Sequence, residues 1–398
     1  MAFYKEKIDI AYDSLNKNAI DMWIVAGQES ATNTEPALDL LCDSEFIGLT
    51  ALIFTSDRKA RVVCTPIDVN GYDMVGLFEK TYPFPVSFED TLADVLKETK
   101  PNTIALDFSR ESVSSDGLSV GTYYLLKKAF DKAGYTGKVV SAARIIEDVR
   151  GIKTADELAK IKKACIETQK IFDDAKSFIK AGMNCKDIYA YFQNEVEKRG
   201  FGYSWPASAN PGVNSGYGCP GGHVGAPDWP VQKGDLVNID FGITIDGYSS
   251  DMQRMYYILD DGEVDAPEDL KEAFYTVRDG IVAATKALKP GVTGNMVDTV
   301  SRDYICDKKG FPSWDFALGH QLGKVAHDGG SLLGPRKPRY NKPELIDTPL
   351  SANMVFTLEP AVPTRKGRIG IEEDVVVTPE GAEFISEPQQ ELYLIKGE

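Results

Sequence analysis

The chain of 398 residues holds three histidines, His223, His320 and His327, and all of them lie in its second half. Imidazoles and carboxylates move protons near neutral pH and hold hard or borderline divalent ions, so their spacing is where chemistry can be sought. The most informative stretch is GDLVNIDFGITIDGYSSDMQRMYYI, in which two strand-like runs flank Asp246-Gly247. Asp-Gly between such runs is a strong signal for a two-residue hairpin turn. With those two residues as the loop, Asp240 faces Gln253 and Asp251 faces Gly242. Side chains alternate with period two along a strand, so Asp240 and Asp251 fall on one face as diagonal neighbours.

Two carboxylates held together on an apolar scaffold repel each other. They can be protonated, paired with Arg254 or Lys233, or bound to a cation, and the last choice needs further ligands. GHQLGKVAHD supplies His320 and His327, seven residues apart, with His320 set among glycines and apolar residues. MVFTLEP places Glu359 at the end of a strand-like run, and GIEEDVVVT sets Glu372, Glu373 and Asp374 at the head of a β-branched strand. Acidic groups entering an apolar strand are costly to bury without a cation or a hydrogen-bond partner. Two aspartates, one histidine and two glutamates suit Mn2+, Fe2+, Co2+ or Zn2+ better than a thiolate site would. Four carboxylates around one divalent ion leave excess negative charge. Two ions balance it, and ions about 3.5–4 Å apart are a common arrangement for hydrolysis.

The elements that must position these residues form two blocks. DMWIVAG (21–27), TALIFT (50–55), RVVCTP (61–66) and TIALDF (103–108) read as strands. FEDTLADVLKET (88–99) and GLSVGTYYLLKKAFDKAG (117–134) have helical apolar spacing. Residues 1–150 are therefore expected to be an α/β domain with a mixed or parallel sheet and no acid–base cluster. The pattern changes near Val149–Lys153. Thr154 and Glu157 have the form of a capping box, and Leu158, Ile161, Cys165, Ile171 and Phe172 keep an apolar face, so a long helix should open a second domain, 151–398. A helix at 186–198 is expected next, then a long Gly- and Pro-rich loop from Gly200 to Gly234 that carries His223. The strand pair (235–258), helices near 266–288 and 294–309, and the two late apolar segments follow.

Composition narrows the function. Hydrophobic residues make up 43% and charged residues 26%, as in a soluble globular protein. Lys and Arg number 44 against 60 Asp and Glu, a net charge of −16, which disfavours nucleic-acid backbone and anionic membranes as partners. No apolar run is long enough to span a membrane, and the opening MAFYKEKIDIAYDSLNK reads as an amphipathic helix rather than a secretory signal, so the cytoplasm is expected. The six cysteines are scattered without a C-x-x-C pair, which argues for reduced, buried thiols.

With these motifs in place, the second block resembles the pita-bread metallopeptidases (peptidase family M24: prolidase, aminopeptidase P, methionine aminopeptidase, and the metal-free relative creatinase). The first block resembles, more weakly, the creatinase-type N-terminal domain of prolidase and aminopeptidase P. The fold implied is an α/β N-terminal domain, creatinase-N-like, plus an α+β pita-bread catalytic domain. The resemblance assigns Asp240 in DFG, the bridging Asp251 in SDMQR, His320 in GHQLG, Glu359 in LEP and Glu372, six residues before Thr378, as ligands of two divalent ions, with Glu373 as runner-up to Glu372. Mn2+ comes first among the metals, with Co2+, Fe2+ and Zn2+ as alternatives. Glu359 would also handle protons. His223, eleven residues before Gly234, and His327 match the family's substrate-side histidines. The implied activity is an exopeptidase on short peptides, at Xaa-Pro bonds, working as a homodimer.

Two positions depart from the pattern. Relatives carry an arginine two residues before the last glutamate, on the prolyl side of the site, where this chain has Gly370; they favour a tyrosine four residues after the Glu-Pro glutamate, where it has Pro363. Arg368 lies on the same strand face as Gly370. If Arg368 does not take over, longer peptides should be handled at least as well as dipeptides. A creatinase-like C–N hydrolase and a catalytically silent peptide-binding protein are the competing readings. Retention of all five ligands argues against both.

Overall fold

Met22–Gly27 (β1) and Thr50–Thr55 (β2), the first two apolar runs, pair antiparallel along their whole length, Met22 opposite Thr55 and Gly27 opposite Thr50. This computed structural model describes residues 1–30, 35–42, 46–221 and 225–396. Lys59–Cys64 (β3), Lys80–Pro83 (β4), Thr103–Leu106 (β5) and Lys138–Ser141 (β6) complete a six-stranded sheet of order β4-β3-β2-β1-β5-β6. It is mixed: β2 is antiparallel to β1 and β3, while β3–β4, β1–β5 and β5–β6 are parallel. Both faces are covered. Phe88–Thr99 and Val120–Ala133 bury Leu92, Leu96, Leu126 and Phe130 against one face, with Ser87 and Ser119 as N-caps. Ala2–Lys17 and Ala143–Gly151 lie on the other, with Leu15 and Ile146 packed against Trp23 and Phe54. The sequence pattern missed β4, β6 and the helix Ala143–Gly151, which are short or only half-buried in apolar period.

The compact unit Met1–Thr154 ends where the helix Ala155–Phe178 begins the second unit, Ala155–Glu398. That helix buries Ile161, Cys165, Ile171 and Phe172. Phe172, Phe192 of the helix Cys185–Arg199 and Phe241 form an edge-to-face trio with centroids 4.8–5.8 Å apart. Each such side chain contributes about 1.5–3 kcal/mol by burial.

The stretch 200–234 is more structured than a connecting loop: Gly202–Tyr203 (β7) and Gly212–Ser215 (β8) lie within it. Leu236–Phe241 (β9), Ile243–Ile245 (β10), Tyr248–Ser249 (β11) and Met252–Ile258 (β12) make the bent hairpin. Asp246 and Gly247 at its tip have φ of 52° and 77°, the left-handed pair a type I′ turn requires. β8 and β12 flank β9, Tyr393–Ile395 (β20) adds to β12, and β7 pairs with β10. Gly319–His320 (β13) pairs with Leu332–Leu333 (β14). Val355–Leu358 (β15), Glu373–Val377 (β18) and Ala382–Phe384 (β19) form a separate antiparallel sheet, and Ala361–Thr364 (β16) with Gly367–Gly370 (β17) forms a short hairpin. Helices Glu268–Ala287 and Gly294–Arg302 lie in the expected regions, and the second continues as a π-helical turn, Asp303–Lys308. Among the described residues no helix is long and apolar enough to cross a membrane.

Candidate metal centre

The hairpin sets Asp240 of β9 opposite Gln253 of β12, and the same register carries Asp251 to the diagonal position just before β12. Asp251 is 5% exposed, and its backbone N–H donates to Asp374 Oδ2 at 3.2 Å. Among the described residues neither aspartate forms an ion pair with a lysine or arginine. Arg254 turns to the other face of β12 and pairs with Glu373 at 2.9 Å, and Lys233 pairs with Asp261. Asp240 Oδ1 is buried without any hydrogen-bond partner among the described residues.

Three more strand ends close on this pair. A backbone pairing of Gln253 with Glu372 brings the head of β18 to β12, and Gln253 Nε2 donates to Glu372 Oε2 at 2.8 Å. Glu359 follows β15 directly, and its backbone N–H donates to Leu318 O at 2.8 Å. His320 is carried on β13, pressed against β15 so closely that a Cβ on Gly319 would lie 1.8 Å from Thr357 O. Only glycine permits that approach. The His320 backbone N–H donates to Thr357 Oγ1 at 3.2 Å.

The electrostatics identify what is missing. Burial pulls the His320 pKa down to about 3, helped by His327, so the ring is neutral. Its Nδ1 lies 3.3 Å from Gln321 O, which assigns the proton to Nδ1 and leaves a lone pair on Nε2. Nε2 stands 3.7 Å from Asp251 Oδ2 and 3.6 Å from Glu359 Oε1, too far for hydrogen bonds. A lone pair facing two carboxylates is unfavourable unless a cation lies between them. Burial first, then the surrounding carboxylates, pushes Asp251 and Glu372 well above the ordinary carboxylate range. Burial takes Asp240 to about 7, with Arg368 opposing, and Glu359 to about 8, with Asp240 adding and Arg368 opposing. Asp251, His320 and Glu372 offer one donor atom each within 4.8 Å of one another. The donor set and the orphaned Asp240 oxygen fit divalent metal, whose charge reverses these shifts.

Five of the sequence-derived residues, Asp240, Asp251, His320, Glu359 and Glu372, thus meet around one acidic cleft. Glu373 does not join them: it alternates to the opposite face, where Arg254 and the Gln389 backbone N–H hold it. His327 stacks on His320, ring centroids 4.0 Å apart at 30°. His223 lies outside the described residues.

Three neighbours escaped the sequence reading or were only glimpsed in it. Gln253 looked like a mere cross-strand partner of Asp240. Asp374 accepts from both Asp251 N–H and the buried Cys165 thiol. Arg368, on β17, stacks its guanidinium over Phe316 at 4.9 Å and comes within 3.3 Å of the point where a Cβ on Gly370 would sit. Arg368 is open to solvent; crowding by protein lowers its pKa while Glu359, Asp240 and Glu372 raise it. Among the described residues it has no hydrogen-bond or ion-pair partner.

Residues 159–379 match the family model described as Metallopeptidase family M24. Among curated proteins, the chain is 27% identical over 359 residues to an Xaa-Pro dipeptidase of Lactobacillus helveticus, covering 87% of this chain and 88% of that one. Among solved structures it is similar to the X-Pro aminopeptidase of Thermotoga maritima, with 25% identity, a TM-score of 0.65 and coverage of 98% of this chain and 99% of that one. It is also similar in fold to an Xaa-Pro dipeptidase of Bacillus anthracis, with 23% identity, a TM-score of 0.70 and coverage of 98% and 100%.

Proposed function

Starting from the fact that this chain belongs to metallopeptidase family M24, we propose that it is a two-metal exopeptidase that cleaves short Xaa-Pro peptides. The observation that carries the reading is the neutral His320, whose Nε2 lone pair faces the carboxylates of Asp251 and Glu359 with Glu372 close by. In this reading Asp240, Asp251, His320, Glu359 and Glu372 hold two divalent ions, and four carboxylates match their charge. Mn2+ is the first choice and Co2+, Fe2+ and Zn2+ are alternatives, on the hardness of the donors. When bound, the metal supplies Lewis acidity and a water more acidic than bulk water.

The chain's own residues do the rest. Glu359 stands at the edge of the cluster, its side chain 19% exposed, where it can take a proton from the attacking water and return it to the leaving amine. His327, stacked on His320, is assigned to the substrate carbonyl, and His223 is assigned the same task from its spacing in the sequence. Arg368 is assigned to the free carboxylate of a dipeptide. Proline specificity is supported by relatives named Xaa-Pro dipeptidase and X-Pro aminopeptidase. We place the enzyme in the cytoplasm, on its soluble-protein composition, and as a homodimer, following the same resemblance.

The test combines metal analysis with hydrolysis of Ala-Pro, Ala-Pro-Ala, Met-Ala and creatine before and after chelation. The reading requires up to two ions per chain and chelator-sensitive cleavage of the proline peptides. Full activity in metal-stripped protein, or cleavage of creatine alone, would overturn it.

A further inference from the structure

The cluster contains one buried polar side chain that touches two of its strands and that no assigned role uses. Gln253 is 5% exposed and lies opposite Asp240 in the β9–β12 register. Its Nε2 donates to Glu372 Oε2 at 2.8 Å, and its backbone O accepts from the Glu372 N–H at 3.2 Å. The other end of the amide is fixed as well: Oε1 lies 3.4 Å from Asn238 Nδ2, which also donates to Gly370 O at 3.0 Å. With the Asn238 amide donating at one end and the Glu372 carboxylate accepting at the other, the carboxamide has one orientation.

We infer that Gln253 is a positioning residue that holds the Glu372 carboxylate aimed at the metal centre, and that Gly370 is required to leave Gln253 in place. The inference rests on the metallopeptidase reading of this site. The 2.8 Å bond from Gln253 Nε2 fixes one oxygen of the Glu372 carboxylate. The same bond restricts Glu372 to one side-chain orientation, as partners behind metal ligands commonly do. Gly370 enters through space rather than conformation. A Cβ there would lie 3.2 Å from Gln253 Oε1 and 3.3 Å from Arg368 Nε and Nη2, tighter than ordinary contact on two sides. The absence of a side chain at 370 is thus matched to a long carboxamide at 253.

The experiment is a Mn2+ titration of the metal-stripped full-length chain by calorimetry, for the parent, Gln253→Met, Gly370→Ala and the double variant. Methionine keeps the length and loses the donor. Gln253→Met should bind Mn2+ about ten- to a hundredfold more weakly, the range seen when partners of metal ligands are removed. Gly370→Ala should move the affinity in the same direction by less. The double variant should be no weaker than Gln253→Met alone, because position 370 acts through position 253. Melting of each metal-free variant separates a folding defect from lost affinity. Mn2+ affinity in a folded Gln253→Met within twofold of the parent overturns the inference. Should that variant fail to melt cooperatively, Gly370→Ala decides, and unchanged affinity there overturns it equally. A parent chain that takes up no Mn2+ strikes the metal reading itself, which keeps the two failures apart.

Discussion

Replacing Arg368 by alanine should remove a preference for substrates that carry a free carboxylate next to the scissile bond. The guanidinium lies over Phe316 at 4.9 Å, and the loop that carries Phe316 is pinned from behind. Arg302 donates to Trp314 O at 2.8 Å and to Phe316 O at 2.5 Å, while its Nε pairs with Asp298 Oδ2 at 2.7 Å. The aromatic wall should therefore survive the substitution, and what disappears is the cation. Among the described residues Arg368 has no anionic partner bonded to it, so none of their carboxylates is left stranded by its removal. A charge-assisted hydrogen bond to a substrate carboxylate is worth roughly 1.5–3 kcal/mol. At ~1.4 kcal/mol per factor of ten, that is roughly a tenfold to hundredfold loss in kcat/KM for Ala-Pro. Ala-Pro-amide, which lacks the charge, should be nearly unaffected. The sequence alone pointed to longer peptides as equal substrates unless Arg368 reached the Gly370 position; with its Nε and Nη2 within 3.3 Å of that point, the dipeptide should win. The assay is kcat/KM for Ala-Pro, Ala-Pro-amide and Ala-Pro-Ala in the parent and in Arg368→Ala. Equal rates on acid and amide in the parent, or a dipeptide preference untouched by Arg368→Ala, would refute the reasoning.

The adjacent glutamates should part company. Glu373→Ala strands the buried Arg254 and should cost about 3–5 kcal/mol of stability in denaturant unfolding, while Glu372→Ala should leave the metal-free fold intact and lose bound metal. Asp251→Ala should remove most of the bound metal by elemental analysis, and chelation should abolish hydrolysis; retention of metal in that variant contradicts its bridging role. His320→Ala should lower metal content, whereas His327→Ala and His223→Ala should keep metal and lose turnover; loss of metal at 223 or 327 would reverse the assignment. In metal-stripped protein, Asp240 and Glu359 hold protons up to about 7 and 8 that the unfolded chain releases near pH 4. The folded state then binds more protons, so stability should fall as pH rises from about 4 to 8. Thermal melts at pH 5 and pH 8 check the sign, and a higher midpoint at pH 8 would contradict it.

Much of the site was legible because one turn fixes it. Asp-Gly at 246–247 leaves a single register, and the register alone places Asp240 and Asp251 on one face. The isolated motifs of His320, Glu359 and Glu372 are legible for a related reason: acidic and imidazole groups in apolar strands are costly enough that their presence calls for an explanation. The choice between Glu372 and Glu373 is of another kind. Adjacent residues on a strand face opposite ways, and the phase is set by Leu358 facing Glu373 across β15–β18 and by Arg254 reaching over from β12. No local pattern encodes that. Position 370 shows the same limit from the other side. A family pattern reads Gly370 as a lost arginine, because the pattern is one-dimensional. In three dimensions the β16–β17 register, with Pro363 opposite Arg368 and Ala361 opposite Gly370, puts 368 and 370 on one face, and the longer side chain fills the space over its neighbour. Gln253 occupies the remaining side of that space. Gly370 thus leaves room for Arg368 on one side and Gln253 on the other, one packing solution spread over two strands, and a side chain added at 370 should be felt at both.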